Sequence, residues 1–351
     1  MQLQERINAF IQLGRFLSQF TSERSEKLED LPHNDTFYET MLQQIDLAYA
    51  HNGWFTKDNQ FHAFKSWTEA LSEENLKKWI SNYTIPKKSA KTVAVIMAGN
   101  IPLVGFHDFL SVLISGNKIK AKLSSNDKIL LPFLSKYLIA VEAKFKNLIT
   151  FTEGRLEDFD AVIATGSNNS ARYFDYYFGK YPHIIRKNRN AVAILTGNET
   201  ATQLQALADD VFRYFGLGCR NVSKLYVPEG YNFDAFFNAM FSWKDIINNN
   251  KYINNYDYNK AVYLMSGFNL LDNEFMLLKE ETSFSSPISV VFYEHYQDPK
   301  QLKNILENEK ENIQCVVSEN HIPFGEAQRP NLWDYADGVD TLDFLFDCQN
   351  P

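Results

Sequence analysis

The sequence predicts an α/β protein with parallel sheets. Three observations carry that reading. Short apolar, β-branched runs such as TVAVIM (Thr92–Met97) and DAVIA (Asp160–Ala164) have the character of strands buried on both faces. From Thr92 onward such runs alternate with helical stretches, the order of repeated strand–helix–strand units. The chain has 351 residues, 45% hydrophobic and 22% charged, a folded composition long enough for two domains.

Residues 1–90 read mostly as helices joined by polar connections. Leu3, Ile7, Phe10, Ile11 and Leu17 trace the face of an amphipathic helix, with Gly14 as its gap. TVAVIM ends in Ala98-Gly99-Asn100-Ile101-Pro102, and the helix that follows stops near Gly116, a C-terminal cap. KIKAKL (Lys118–Leu123) alternates strictly, as a strand with one polar face does. A helix is expected over 127–145, strands near Leu148–Phe151 and at Asp160–Ala164, and a helix from the Thr165-Gly166-Ser167 turn through Phe178. Val192–Leu195 reads as a strand. Leu204, Leu207, Ala208, Val211, Phe212 and Phe215 mark one face of a helix that ends at Gly216 and Gly218, directly before Cys219. Further strands are expected at Ser223–Val227, Ala261–Leu264, Ile288–Phe292 and Ile313–Val317, and the Asn-rich stretch 248–259 reads as a surface connection. The seam near residues 185–195 divides the chain into domains 1–190 and 191–351.

Charge and cysteine usage exclude several classes. Lys and Arg number 35 against 43 Asp and Glu, a net charge of −8, which leaves no footprint for nucleic acid. Cys219, Cys315 and Cys348 form no CxxC and no metal-ligand spacing, and their odd number argues against a disulfide framework. A reducing cytoplasm fits. Glu5, Arg6 and Arg15 interrupt any signal-like core at the N-terminus. No stretch approaches the roughly 18 apolar residues of a membrane span. The first helix is expected to dock on its own domain, with a membrane-surface or partner-binding role as the alternative.

Cys219 stands between glycines and a polar Arg-Asn pair in FGLGCRNVSKLYV. Glycines permit close backbone approach, and Arg220 favours thiolate, the nucleophilic form. The plainer alternative is a small buried hydrophobe. Cys315, in the apolar run IQCVV, and Cys348 read as structural or incidental. A nucleophilic thiol needs a home for the oxyanion. Asn100, set between Gly99 and Pro102, offers an amide that with the Cys219 N–H can form an oxyanion hole, or it simply makes a turn.

Two further features suit a nucleotide. Thr165-Gly166-Ser167 follows a strand and opens a helix, whose first N–H groups bind phosphate; an ordinary Ser-capped helix is the alternative. Lys122, followed by Ser124 and Ser125, can reach ribose or phosphate oxygens, or else shares a solvated face with Lys118 and Lys120.

Taken in order, these pieces resemble the aldehyde dehydrogenase superfamily. AVIMAGNIPLVG is similar to its strand ending in the Asn of N-F-P, and SGNKIKAKLSS to its G-N-x-V-V-V-K-P-x-E strand. VIATGS is similar to its F-T-G-S turn, and RKNRNAVAIL to the strand at its domain seam. VFRYFGLGCRNVSKLYVPEG resembles the helix–Cys–strand unit, and KEETSFSSPISVV the E-E-x-F-G-P-V segment. The resemblance spans about Thr92–Val291. It implies two Rossmann-like α/β domains with a cleft between them, Cys219 as nucleophile, Asn100 at the oxyanion, and pyrophosphate held at Thr165–Ser167. It also gives Glu281 to the nicotinamide ribose and Phe284 to the nicotinamide ring.

Two departures narrow the branch. Where ordinary members carry the E-L-G-G glutamate that activates water, this chain has Ile184-Ile185-Arg186-Lys187. Without that base, hydrolysis of an acyl-enzyme slows and exchange with a thiol takes over. GLGCRN and FGEAQRPNLWDYADGVDTLDFL resemble the LuxC-type fatty acyl-CoA reductases. Ser125 replaces the ribose-binding Glu of K-P-x-E, which with Lys122 favours NADPH over NADH. The implied reaction is reduction of a fatty acyl-CoA or acyl carrier protein thioester to an aldehyde, by a homo-oligomer. The rivals are an oxidative aldehyde dehydrogenase, with Glu199 as the nearest candidate base, and a non-catalytic acyl-carrying scaffold subunit. His107, just after the N-I-P segment, is a possible acid or base, or a satisfied core histidine.

Overall fold

The computed structural model describes residues 1–85 and 89–348. The chain divides into two compact units, residues 1–187 with 331–351, and residues 188–330. The C-terminal segment thus belongs with the first unit, whereas the sequence reading placed it in 191–351. The reason is packing: Leu342, Leu345 and Phe346 lie in the core of the first unit, and Trp79 Nε1–H donates to Tyr335 Oη at 2.6 Å.

In the first unit, α1 (Leu3–Ser18), α2 (Asn34–His51), α3 (Lys57–Ala70) and α4 (Glu73–Ser81) precede a five-stranded parallel sheet. Its strands are β1 (Thr92–Ile96), β2 (Lys118–Lys122), β3 (Ile149–Phe151), β4 (Ala161–Thr165) and β5 (His183–Arg186), in the order β3-β2-β1-β4-β5. α5 (Phe106–Ile114) and α6 (Leu130–Val141) follow β1 and β2, α7 (Asn168–Phe178) joins β4 to β5. Strand alternation sorts the faces. Val93 and Val95 join the large core, which also takes Phe10 and Leu13 of α1, while Ala94 packs with Val162, Ala164 and Phe174. The gap at Gly14 is a close approach, since a Cβ there would meet the Leu71 Cβ at 2.8 Å.

The second unit holds β6 (Asn190–Ile194), α8 (Ala201–Phe212), β7 (Val222–Pro228), α9 (Asp234–Met240) and α10 (Asn250–Met265). It continues with β8 (Leu270–Asp272), β9 (Leu277–Glu280), β10 (Val290–Tyr296), α11 (Pro299–Asn308) and β11 (Ile313–Val317). The sheet runs β11-β6-β7-β10-β9-β8 and is parallel except for β8. The last described helix, α12 (Thr341–Asp347), returns to the first unit and packs on α5.

Two expectations fail together in the second unit. The strand expected at Ala261–Leu264 is the last turn of α10, and the Asn-rich connection at 248–259 is most of the same helix. Asn249 caps it by accepting from the Lys251 and Tyr252 N–H groups, and Tyr252, Tyr256 and Asn259 recur at helical spacing as its buried residues. β5, β8 and β9 were not expected as strands.

Candidate active site

The first unit reverses its strand order between β1 and β4, and the carboxyl ends of those two strands flank the crevice where sheets of this topology bind ligands. Gly99, Lys122 and Thr165–Ser167 all lie at that edge. Gly99 is there for space: a Cβ would sit 2.5 Å from the Ser124 Cβ, so the loop bearing Asn100 could not lie against the turn after β2. Asn100 itself is half-buried. The loop is fixed by Asp127, whose Oδ2 accepts from the Leu103 N–H at 3.1 Å. Burial pushes the Asp127 carboxyl up to about 7.

The turn after β4 is shaped by Gly166, where a Cβ would lie 2.9 Å from both Ser170 and Phe174 of α7. Ser167 is the N-cap of α7, accepting from the Ser170 N–H at 3.3 Å. Below it sits a buried network. Arg186 on β5 pairs with Asp108 at 2.6 Å, donates to Thr341 Oγ1 at 3.0 Å, and reaches Thr165 Oγ1 at 3.5 Å. Its carbonyl accepts from the Gly166 N–H at 3.2 Å. Arg186 and Asp108 are 5% and 7% exposed.

Lys122 donates to the Gly154 carbonyl at 3.0 Å and Lys120 to that of Glu157, so the polar face of β2 folds onto one loop. Ser124 Oγ accepts from the Asn126 N–H, and the exposed Ser125 gives its carbonyl to His51 Nε2. His107 is a satisfied core residue. Its Nε2 donates to the Leu332 carbonyl at 2.9 Å, its ring packs by Trp79 and Tyr335, and burial lowers its pKa.

In the second unit Cys219 is half-buried, on a turn at the amino end of β7. The chain ahead of it is unwound, with Tyr214 and Phe215 left-handed at φ 55° and 59°, a conformation held only where surroundings enforce it. Asn221 closes the turn. Its Oδ1 accepts from the Gly218 N–H at 2.8 Å, and its Nδ2 donates to the carbonyls of Asp210 (3.0 Å) and Arg213 (2.8 Å) at the end of α8.

Asp210 extends the brace, accepting from the Gly325 and Ala327 N–H groups, while Arg220 Nε donates back to the Ala327 carbonyl. The phrase FGEAQ therefore has a physical role: it buttresses the cysteine turn. Arg220 spends its Nε there. Burial pushes the thiols of Cys315 and Cys348 up to about 11, so neither is a nucleophile at neutral pH.

The Glu281–Phe284 segment hangs from β7. Ser223 Oγ donates to the Phe284 carbonyl at 2.6 Å, and the fully buried Lys224 donates to Thr282 O and pairs with Glu294, each at 2.6 Å, with its ammonium 4.8 Å from the Phe284 ring centroid. Glu281 is held low, at about 2, by Lys279 and by the N–H groups of Ser283 and Thr282. Glu199, the rival base, accepts from Thr196 and Gly197 in the turn after β6. That turn is at the carboxyl edge of the sheet and Cys219 at its amino edge, roughly 15 Å apart along the strands. Sequence reasoning missed Asn221, Asp210, Lys224 and the Arg186–Asp108 pair. A lysine inside the apolar strand VSKLYV was the one visible signal among them.

The fold is that of the aldehyde dehydrogenases. Aldehyde dehydrogenase 21 from Physcomitrella patens, solved with succinate, superposes with a TM-score of 0.65 at 13% identity, covering 99% of this chain and 85% of that one. The indole-3-acetaldehyde dehydrogenase AldA of P. syringae, solved with NAD+ and indole-3-acetic acid (IAA), gives 0.62 at 13% identity over 87% and 70%. An NADP-dependent enzyme of E. coli gives 0.57 at 14% identity over 90% and 76%. No curated protein sequence matches. The model of the acyl-CoA reductase (LuxC) family matches residues 13–321, and the chain belongs to that family. It is an oxidoreductase of acyl thioester and aldehyde chemistry. Among the described residues no helix is long and apolar enough to cross a membrane.

Proposed function

We propose that this chain reduces a fatty acyl thioester to an aldehyde through an acyl-Cys219 intermediate, with NADPH as reductant. The observation that supports it most is β5. The stretch matched to the water-activating glutamate is a strand whose Arg186 is locked in a buried ion pair, so it presents no base to hydrolyse an acyl-enzyme.

The residues present suit a dinucleotide. The switch-point edge, the space at Gly99, the N-terminus of α7 and the Lys122 ammonium are what a phosphate-bearing cofactor needs. Thr165–Ser167 would take the pyrophosphate, Lys122, Ser124 and Ser125 the adenosine side, and Glu281 and Phe284 the nicotinamide riboside. When bound, the nicotinamide supplies the hydride. The exposed Ser125 removes a carboxylate that would repel a 2′-phosphate, which supports NADPH.

Cys219 thiolate attacks the thioester carbonyl, forming a C–S bond. Asn100 and the Cys219 N–H donate to the oxyanion. Collapse expels the donor thiolate, from coenzyme A or acyl carrier protein, and leaves acyl-Cys219. After reduction, the Cys219 thiohemiacetal gives up its hydroxyl proton, the C–S bond breaks, and aldehyde leaves with the thiolate restored. We extend the reading to a homo-oligomer, supported by the exposed Val262, Leu264, Met265 and Phe268 at the end of α10, and to the cytoplasm, supported by three cysteines without a disulfide.

Mass spectrometry after mixing with a long-chain acyl-CoA tests the proposal. The wild type should gain one acyl mass that NADPH discharges as aldehyde. Cys219→Ala should gain none while still binding NADPH. Retained reductase turnover in Cys219→Ala would reject the nucleophile assignment.

A further inference from the structure

The first unit carries a pocket of about 440 Å³ lined by Asn82, Tyr83, Trp333, Tyr335, Gly338 and Asp340. We infer that it binds an organic cation of the alkylammonium class. Nothing in the proposed reaction uses it, and the inference stands apart from that reaction.

The chemistry of the wall is one-sided. Trp79 Nε1, a donor only, gives its N–H to Tyr335 Oη at 2.6 Å. The Tyr335 and Tyr83 hydroxyls are 2.7 Å apart, and Tyr83 donates to Asp340 Oδ2 at 2.6 Å. These roles fix the direction of the chain: Trp79 to Tyr335, Tyr335 to Tyr83, Tyr83 to Asp340. Each aromatic donor is therefore spent, and the rings leave faces and a carboxylate to a guest.

The other Asp340 oxygen accepts the Asp343 N–H as the N-cap of α12. Among the described residues no cationic side chain pairs with Asp340. Aromatic faces beside an unneutralised carboxylate attract an ammonium through the ring quadrupole and the charge together. The indole shows the attraction already, since Lys78 Nζ lies 4.1 Å from the Trp333 ring centroid. The volume falls within the range of small-molecule sites.

The test is calorimetric titration of the full chain with choline, n-butylammonium and the neutral choline isostere 3,3-dimethylbutan-1-ol. At least one cation should saturate, binding about tenfold or more tighter than the alcohol. Asp340→Asn keeps the N-cap and removes the charge, and should weaken the cation about tenfold. Trp333→Leu should weaken it as well. Lys78→Met removes a competing charge and should tighten it; an anionic guest would respond in the opposite direction to both charge changes. Absence of saturation by either cation, equal binding of the alcohol, or unchanged affinity in Asp340→Asn would overturn the inference. If Asp340→Asn does not fold, the Trp333→Leu and Lys78→Met arms decide it.

Discussion

Asn221→Ala should uncouple the cysteine turn from α8. Asn221 is 2% exposed, and its amide makes its closest contacts with Gly218 N at 2.8 Å, Arg213 O at 2.8 Å and Asp210 O at 3.0 Å. Truncation strands a buried N–H and at least one buried carbonyl. At about 1–3 kcal/mol for each unsatisfied group, the loss is about 4 kcal/mol. For a chain of this size that lowers the melting temperature by about 10 °C. The chemical effect should be larger than the stability effect suggests. A thiol displaced by about 1 Å loses on the order of a hundredfold in rate, so acylation of Cys219 by a long-chain acyl-CoA should slow by that order below the melting transition. Asn221→Asp keeps an acceptor for Gly218 but forfeits the donors and buries a charge, and should fare no better. The assay is acyl-adduct formation against time, beside thermal melts of all three proteins. Wild-type acylation and an unmoved melt in Asn221→Ala would refute the bracing role.

Arg186→Met should cost about 3–5 kcal/mol by leaving Asp108 buried without its cation, and should weaken NADPH binding through the Thr165–Ser167 turn. Arg186→Lys should recover part of the affinity, which fluorescence titration reads; equal NADPH affinity in all three would refute the link. Asp127 makes a pH prediction. Its carboxyl rises from 3.8 to about 7 in the fold, so the native state holds its proton after the unfolded chain has lost it. Its contribution is complete below pH 4 and is lost as pH rises toward 7, by at most about 4 kcal/mol. Asp127→Asn should flatten that fall in denaturant melts across pH 4–8; an unchanged slope counts against it. Ser125→Glu should shift the preference toward NADH by about tenfold in kcat/KM, and an unchanged ratio would remove Ser125 from cofactor choice.

The strands of the first sheet were legible because a strand buried on both faces must be continuously apolar, as TVAVI and AVIAT are. The turns at Gly99, Gly166 and Gly218 were legible because chemistry-bearing loops need residues without side chains there. α10 was not, since an asparagine-rich helix hides its period: its buried face is Tyr252, Tyr256 and Asn259, two rings and an amide. The bracing groups were hidden for a different reason. Asp210 acts on Gly325 and Ala327, more than a hundred positions away, and Arg186 on Thr341, so neither role has a local pattern.

That same distance has a consequence for how the chain is made. Trp79 waits 256 positions for Tyr335, and the interior around it stays unsealed until Leu342, Leu345 and Phe346 arrive. Residues 188–330 emerge from the ribosome as one uninterrupted stretch and can close their sheet first, so the half begun earliest is finished last. A premature stop shortly after residue 330 would leave a mature insert carried by a host that never completes.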